Sequence, residues 1–249
     1  MLSKVKINNT IKPFNKILEI EGDKSLSIRW ALLASQAKGK SKSKNLLKSE
    51  DVLSTLNCLR KLGVRIKFRK SICEINGLGL NGYKYKKNII LNTGNSGTLA
   101  RLIMGLLIHT KNEIKIIGDK SLSKRDFYRV TIPLKKFGAK FKTNSGKLPI
   151  IIKGTNLPHP ISYNETKGSA QCKSAIMLAA LNTKGETIIR AKKSRNHTEL
   201  LFKHLKLDAK VNKKNYIDII KIRGKKNIRA FNYKIPSDIS SSAFFIVLT

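Results

Sequence analysis

Three short segments combine glycine with hydroxyl, amide or cationic side chains at points where an apolar helical pattern begins. They are residues 22–25 (GDKS), 94–98 (GNSGT) and 168–171 (GSAQ). Glycine lets backbone N–H groups come close to a ligand. The first turn of a helix presents unpaired N–H donors with about half a positive charge. These segments therefore favour the binding of phosphate or carboxylate groups.

A regular spacing relates the three segments. The interval from Ser25 to Thr98 is equal to the interval from Ser96 to Ser169. Helix capping alone explains any one of these hydroxyl residues. A matched set of three helix starts is instead typical of an internal repeat. If symmetry relates the repeats, the three helix starts converge on one anionic ligand.

A second sequence pattern repeats downstream of the three helix starts and marks the elements that position them. A pattern of helix end, turn and strand start occurs at residues 59–64, 134–139 and 204–209. Its turn residues Gly63, Gly138 and Asp208 follow one another at similar intervals. The sequence therefore predicts an α/β (α+β) domain of three repeated β-α-β-α-β units. We expect the helices to pack around a shared core with threefold pseudo-symmetry.

Composition limits the class of protein. The 249 residues include 51 Lys+Arg and 15 Asp+Glu, for a formal net charge of +36, and 41% are hydrophobic, which is enough for a folded core. No apolar run approaches the roughly 20 residues of a membrane span, and the first residues lack the apolar stretch of a secretory signal. Three cysteines without a C-x-x-C pattern favour neither disulfides nor a metal site. We expect a cytoplasmic protein with no cofactor, metal, membrane or nucleic-acid partner.

The high positive charge also supports an alternative from another class, a basic RNA-binding protein. Against it, only 11 of the 51 cationic residues are Arg, and the cations are spread along the chain. Aromatic residues make up 6%, and no RNA-binding motif or aromatic platform is present. Most of the charge is better explained as a solvated surface.

Seven segments, in order along nearly the whole chain, carry a resemblance to a known family. They are residues 22–29 (GDKSLSIR), 45–52 (NLLKSEDV), 94–101 (GNSGTLAR), 118–125 (GDKSLSKR), 169–175 (SAQCKSA), 194–199 (SRNHTE) and 235–245 (IPSDISSSAFF). Together they resemble the EPSP synthase family of enolpyruvyl transferases. The resemblance implies 3-phosphoshikimate 1-carboxyvinyltransferase activity. That reaction transfers the enolpyruvyl group of phosphoenolpyruvate to the 5-hydroxyl of shikimate 3-phosphate and releases phosphate.

The resemblance also implies which residues contact the two substrates. Those implied for shikimate 3-phosphate are Lys24, Ser25, Arg29, Ser169, Ala170, Gln171, Ser194 and Arg195. Those implied for phosphoenolpyruvate are Lys24, Asn95, Gly97, Arg125 and Gln171. Both substrates carry several negative charges, which cations on helix starts would balance.

Four residues depart from the pattern of the family. Glu21 stands where Pro is usual, Trp30 and Asp126 stand where smaller residues or Pro are common, and Asn196 stands where Asp is usual. We expect Glu21 and Asp126 to weaken substrate binding by charge repulsion, with solvent screening the effect where they are exposed. Gly97 occupies a position where Ala is associated with glyphosate tolerance in the family. The resemblance therefore implies inhibition by glyphosate.

The resemblance implies that the chain covers one of two domains. We expect residues 20–233 to form the three-unit substrate-binding domain, residues 1–19 to form the first strand or strands of the second domain, and residues 234–249 to begin its remainder. The apolar helical pattern at residues 243–249 has no stop signal, so we expect a truncated chain.

No catalytic residue is assigned here, because the general base and general acid of the family lie in the second domain. The chain alone should bind shikimate 3-phosphate weakly and not turn over. A complete protein is expected to be monomeric, or to receive the second half as a separate chain.

Within the same fold the alternative is UDP-N-acetylglucosamine enolpyruvyl transferase. That family carries Lys-Asn near the first helix and a reactive Cys in a Gly-rich loop. Here the first helix start has Asp23, Lys24 and Ser25, and Cys58 lies in a helical Leu pattern that predicts a core position. The shikimate assignment fits these residues better.

Overall fold

The structure, a computed structural model, describes residue 15, residues 17–69 and residues 71–247. Unit 1 comprises α1 (Lys24–Gln36), β1 (Ala37–Lys44), α2 (Glu50–Lys61), β2 (Arg65–Arg69) and β3 (Ile72–Leu78). Unit 2 comprises β4 (Ile89–Asn92), α3 (Gly97–Leu106), β5 (Ile114–Ile117), α4 (Lys120–Ser123), α5 (Tyr128–Lys136), β6 (Lys140–Asn144) and β7 (Lys147–Lys153). Unit 3 comprises β8 (Ser162–Glu165), α6 (Ala170–Leu181), β9 (Glu186–Lys192), α7 (His197–His204), β10 (Ala209–Lys213) and β11 (Ile217–Arg223). A last segment comprises β12 (Ile228–Arg229), β13 (Asn232–Lys234) and α8 (Ile239–Ile246).

Each unit builds one small mixed sheet, and the three sheets share one strand order. In unit 2 the order is β4-β5-β7-β6, and in unit 3 it is β8-β9-β11-β10. The first two strands of each sheet are parallel and the remaining pairs are antiparallel. Each unit therefore ends in a two-stranded hairpin, at the place where the sequence predicted one or more final strands. The predicted mixed α/β class is confirmed.

Unit 1 takes its first strand from the far end of the chain. Its sheet has the order β12-β1-β3-β2, and β13 also pairs with β1. Both β12 and β13 run parallel to β1, with Ala37 opposite Ile228 and Lys42 opposite Asn232. They fill the position that β4 and β8 fill in the other two sheets. A local sequence repeat contains no signal for this pairing, because the partners are separated by the whole of units 2 and 3.

Three helices, one from each unit, form the centre of the molecule. In α1 every residue from Leu26 to Gln36 is buried, and in α6 every residue from Cys172 to Leu181 is buried. Helices that are buried on all sides lie inside a core instead of covering one. The third helix, α3, packs against both α1 and α6. Gly105 permits the contact with α6, because an added Cβ would collide with the carbonyl oxygen of Ala175.

The helix ends predicted at the second repeat pattern are present, with one correction. Helix α2 is followed by Gly63 and α5 by Gly138, both at positive φ. After α7 the residue at positive φ is Lys206, with φ 50°, so Lys206 and not Asp208 is their counterpart. The sequence pattern predicted this turn at Asp208 because a lysine gives no local indication of the left-handed conformation that Lys206 adopts.

The chain enters and leaves the three-unit body at adjacent places. Gly22 and Ser237 form an isolated antiparallel bridge. The N–H of Asp23 donates to the carbonyl of Pro236 over 2.8 Å, and the N–H of Asp238 donates to the carbonyl of Glu21 over 2.9 Å. The predicted boundaries at residues 20 and 233 fall near this crossing, and the division into two domains stays a prediction. Most of the segment 1–19, predicted to belong to the second domain, lies outside the described residues.

Helix α8 follows this crossing and has no buried residue. None of the helices in the described ranges combines the length and apolar character that crossing a membrane requires.

Candidate active site

The starts of α1, α3 and α6 repeat at a fixed interval. The N-caps are Asp23, Ser96 and Ser169, and the interval from the first to the second equals that from the second to the third. Each cap side chain accepts a hydrogen bond from the backbone N–H three residues later, at 2.6, 3.3 and 3.2 Å. These observed starts lie within one or two residues of those that the sequence predicted. Each helix start leaves backbone donors available to an anion.

Side chains from equivalent positions join the helix starts. Thr98 is the second residue of α3 and Gln171 the second residue of α6, and the Gln171 Nε2 donates to Thr98 Oγ1 over 3.0 Å. Helix α1 is connected to α6 deeper in the core, where Arg29 Nη2 donates to Ser174 Oγ over 3.1 Å. The three helices therefore begin at the same end of the core. Their N-terminal turns form one surface.

One buried cation at this surface, Arg101, was given no role by the sequence analysis. Arg101 of α3 is buried and donates from Nη1 to Gln171 Oε1 over 2.9 Å and from Nη2 to the carbonyl of Asp126 over 3.2 Å. Its guanidinium also lies 4.8 Å from the ring centre of Phe127. Arg101 thus fixes the orientation of the Gln171 amide. The sequence did contain one indication of its importance, because Arg101 is the last residue of the segment GNSGTLAR that carries the family resemblance.

Arg125 and Asn95 lie together beside the start of α3. The Asn95 Nδ2 donates to Asp119 Oδ2 over 2.5 Å, and Arg125 Nη2 donates to Asn95 Oδ1 over 3.4 Å. These contacts orient Asn95, while the Arg125 side chain stays exposed. The N–H of Leu122 and the amide of Asn95 hold the pKa of the Asp119 carboxyl below its usual value.

Gly97 is closely approached by both nearby guanidinium groups. An added Cβ would lie 2.8 Å from Arg101 Nη1 and 3.3 Å from Arg125 Nη1. Asp126, which was expected to weaken anion binding, uses Oδ1 to accept from the N–H of Tyr128 over 2.9 Å. That carboxylate is thus engaged at the start of α5.

Arg29 is a buried cation, 4% exposed, and neutral oxygen atoms hold it. Its Nε donates to Thr198 Oγ1 over 2.9 Å, its Nη1 to the carbonyl of Ser25 over 3.0 Å, and its Nη2 to Ser174 Oγ. Burial lowers the pKa of Arg29 to about 10, and the Glu199 carboxylate acts in the opposite direction. Three of the five N–H groups of the guanidinium are therefore bonded inside the chain.

Arg195 adds a second positive charge near Arg29. Its side chain is exposed, and its charge acts against that of Arg29, lowering the pKa of Arg29. Burial, followed by the charge of Arg29, also lowers the pKa of His197 at the start of α7. Two neighbouring cations that repel each other form a site at which a multiply charged anion is favoured.

Lys173 and Glu199 form a buried ion pair near Arg29. Lys173 Nζ is 2.6 Å from Glu199 Oε1, and the two side chains are 0% and 7% exposed. It connects α6 to α7. Glu199 therefore balances Lys173 directly and Arg29 at longer range.

The remaining residues predicted for the site lie at the helix starts or on the loop before α7. Lys24 is exposed, and its Nζ lies 3.3 Å from Asp51 Oδ2. Ser169 caps α6, while its N–H donates to the buried Glu165 over 2.9 Å, and Ala170 opens that helix. The Ser194 Oγ is buried and has no hydrogen-bond partner among the described residues. Ser194 also lines a cavity of about 590 Å³.

The other departures from the family pattern do not disturb these contacts. Trp30 is fully buried in α1, and Glu21 is exposed. Asn196 is the N-cap residue of α7 and makes no side-chain capping bond. Within the described part of the chain, no three His, Cys, Asp or Glu side chains are grouped as a metal ion requires.

These features define a mixed α/β protein with three small sheets, in which the starts of α1, α3 and α6 lie at one end of the core. The sequence model of the family described as EPSP synthase (3-phosphoshikimate 1-carboxyvinyltransferase) matches residues 8–249. The chain belongs to this family.

Individual relatives agree with that assignment. A 3-phosphoshikimate 1-carboxyvinyltransferase of Ruthia magnifica subsp. Calyptogena magnifica is 44% identical over 241 residues, which are 95% of this chain and 54% of that protein. The protein of the same name from Streptococcus mutans serotype c is 41% identical over 249 residues, which are 97% of this chain and 56% of that protein. The solved structure of EPSP synthase from Acinetobacter baumannii matches with a TM-score of 0.85 at 36% identity, over 92% of this chain and 52% of that one. The chain spans about half the length of the curated relatives it matches.

Proposed function

We propose that this chain is the shikimate 3-phosphate-binding half of a 3-phosphoshikimate 1-carboxyvinyltransferase. The observation that carries the proposal is the joining of the starts of α3 and α6 through Gln171, which contacts both Thr98 and Arg101. Gln171 thereby lies between the residues proposed for the two substrates. The expected threefold arrangement of the units and the division at residues 20 and 233 are parts of the same proposal.

The proposed shikimate 3-phosphate site is built around two cations, Arg29 on α1 and Arg195 on the loop before α7. Arg29 and Arg195 supply two cations whose mutual repulsion an anion relieves. Ser25, Ser169, Ala170 and Ser194 supply hydroxyl or backbone donors around them. Because Arg29 is held by three internal bonds, its guanidinium is oriented before a ligand arrives, which reduces the entropy lost on binding.

The proposed phosphoenolpyruvate site lies at the start of α3. Arg125 would bind the phosphate, Asn95 and Gly97 would line the site, and Lys24 and Gln171 would contact both substrates. Asp119 holds Asn95, and Arg101 holds Gln171, so both amides have fixed orientations. Because Gly97 has no side chain, the space between its backbone and the guanidinium groups of Arg101 and Arg125 stays free of a Cβ.

The reaction joins the two sites. The 5-hydroxyl oxygen of shikimate 3-phosphate forms a bond to the enolpyruvyl carbon, and the bond from that carbon to the phosphate oxygen breaks. The released phosphate keeps the electron pair of that bond, and the proton lost by the hydroxyl balances it. In this proposal the residues of this chain bind and orient both anions and balance their charge. The general base and general acid that the family resemblance implies belong to a second domain. The predicted cytoplasmic location and the monomeric state of a complete protein stay predictions.

The proposal is tested by ligand binding to the chain. We expect shikimate 3-phosphate to raise the melting temperature at about 150 mM salt, where nonspecific binding to phosphate is weakened. Arg195→Ala should reduce the shift, and Lys221→Ala, which removes an exposed cation on β11, should leave it unchanged. A larger shift with RNA than with shikimate 3-phosphate would instead favour the RNA-binding alternative.

A second measurement concerns turnover. Phosphate release from both substrates by this chain alone should not exceed that of a Lys24→Ala variant. Joining the chain to the remaining part of the Streptococcus mutans relative should give phosphate release that Lys24→Ala abolishes. Turnover by the chain alone would contradict the assignment of the acid and base to a second domain.

A further inference from the structure

A cavity in unit 3 shares Ser194 with the proposed shikimate 3-phosphate site, but it also contains charged groups that the proposed reaction does not use. It has a volume of about 590 Å³ and lies between α7, the β10–β11 hairpin and the loop before α7. The apolar side chains Leu200 and Val211 line it and are 53% and 37% exposed. Lys193, Lys203 and Lys213 also line it, and all three are exposed, so they lie at its rim.

Asp218 is the buried acidic group of this cavity that lacks a partner. It is 7% exposed, and its Oδ1 is buried without a hydrogen-bond partner among the described residues. The other buried carboxylates of the described chain have cationic or N–H partners. Glu74 lies near three cations, Glu165 accepts two backbone N–H groups, and Glu199 pairs with Lys173. A buried carboxylate without a partner destabilises a fold unless something binds it.

Comparison of the three repeated units shows that this carboxylate is peculiar to unit 3. Asp218 is the second residue of β11, and the second residues of β3 and β7 are the buried apolar residues Cys73 and Leu148. Its neighbour across β10 is Lys213, whereas Cys73 lies across from Phe68. Unit 3 therefore has two opposite charges where unit 1 has two apolar side chains.

Lys213 does not satisfy Asp218. The two residues are directly opposite in the sheet, yet among the described residues no cation lies within 4.0 Å of the Asp218 carboxylate. The lysine side chain instead reaches the exposed rim. The cavity thus separates a negative floor from a positive rim by an apolar wall.

We propose that this cavity binds a small zwitterion, an α-amino acid with an apolar side chain. Its ammonium group would pair with Asp218, its carboxylate with Lys203 and Lys213, and its side chain would cover Leu200 and Val211. A metal ion fits less well, because the second carboxylate of the cavity, that of Glu199, is already paired with Lys173. A simple anion would face the Asp218 carboxylate.

Ligand titrations of the full 249-residue chain test the class of ligand. We expect L-leucine and L-phenylalanine to bind in calorimetry at about 150 mM salt and to raise the melting temperature. 3-Methylbutylamine lacks the carboxylate and N-acetyl-L-leucine lacks the ammonium group, so both should bind at least about tenfold more weakly. No binding of either amino acid, or equal binding of the amine, would overturn the proposal.

Variants test the residues. Asp218→Asn should weaken amino-acid binding at least about tenfold. Lys213→Ala should weaken binding of L-leucine but not of 3-methylbutylamine, and Lys221→Ala, on the opposite face of β11, should change neither. Asp218→Leu restores the apolar type of residue found in units 1 and 2, so it should raise the melting temperature of the free chain while abolishing binding. Unchanged affinity in Asp218→Asn would refute the assignment. No shikimate compound is used, so the outcome is independent of the proposed enzymatic function.

Discussion

Arg101 of α3 donates a hydrogen bond from Nη1 to Oε1 of Gln171 on α6 over 2.9 Å. Because Gln171 also donates to Thr98, this pair fixes the first turns of two neighbouring helices relative to each other. The contact joins unit 2 to unit 3 and lies where the proposed substrate sites meet. It makes Arg101 a positioning residue for Gln171.

Arg101→Ala should lower the free energy of unfolding by about 2–4 kcal/mol, because it removes charged hydrogen bonds and the contact with Phe127. Urea unfolding measures this change. Arg65→Ala, at an exposed position on β2, is the matched control and should change stability by less than about 0.5 kcal/mol. Equal stability of the two variants would show that Arg101 contributes no more than a surface cation.

Gly97→Ala should displace the two guanidinium groups, because the new Cβ would lie 2.8 Å from Arg101 Nη1 and 3.3 Å from Arg125 Nη1. In the fusion with the second half of the Streptococcus mutans relative, we expect the Gly97 enzyme to be inhibited by glyphosate. Gly97→Ala should raise the inhibitory concentration at least about tenfold and raise KM for phosphoenolpyruvate. Titration of phosphate release with glyphosate is the measurement. An uninhibited Gly97 fusion would contradict the prediction.

Lys173→Met should destabilise the chain by about 3–5 kcal/mol, because it leaves the Glu199 carboxylate buried without its partner. The double variant Lys173→Met/Glu199→Leu removes both charges and should recover most of that loss. Urea unfolding of the two single variants and the double variant gives the coupling energy. If the double variant is no more stable than Lys173→Met, the ion pair is not the source of the effect.

The three thiols should be unreactive in the folded chain. Burial raises the pKa of Cys58, Cys73 and Cys172 to about 12, so almost no thiolate forms at about pH 8. A disulfide reagent with a coloured leaving group should react slowly with the native chain and with three thiols after unfolding in urea. One rapidly reacting thiol in the native chain would contradict this prediction. It would instead favour the alternative of a UDP-N-acetylglucosamine enolpyruvyl transferase, which has a reactive cysteine.

His109 should make stability depend on pH. Burial lowers its pKa from 6.5 to about 4, and the charge of Lys225 acts in the same direction. Between these values the unfolded chain binds a proton that the folded chain does not, so the free energy of unfolding falls as the pH decreases. His109→Gln should remove roughly 1–3 kcal/mol of the loss between pH 6.5 and 4.

The control for this prediction is His159→Gln, which changes an exposed histidine. Urea unfolding at pH 7 and pH 4.5 compares each variant with the unchanged chain, so that the titration of carboxyl groups cancels. If both variants show the pH dependence of the unchanged chain, His109 does not produce it.

Local patterns predicted the helix starts well. Asp23, Ser96 and Ser169 cap helices at the predicted interval because a cap and the first apolar turn are contiguous in sequence. The core position of Cys58 was also confirmed, since the period of a helix assigns its buried face. The turn after α7 was placed wrongly at Asp208, because Lys206 adopts the left-handed conformation without being glycine.

The sequence by itself determined the α/β class and the starts of α1, α3 and α6, because a helix cap and the apolar turn that follows it lie within a few positions of each other. Only the tertiary structure decided that β12 and β13 complete the sheet of unit 1, since backbone pairing between distant strands leaves no local pattern. The hydrogen bonds of the buried Arg101 and the lack of a partner for the buried Asp218 Oδ1 were also visible only there. A cation that holds a neighbouring helix and a carboxylate buried in a cavity have the same sequence appearance as solvated surface charges, and burial and partners alone distinguish them.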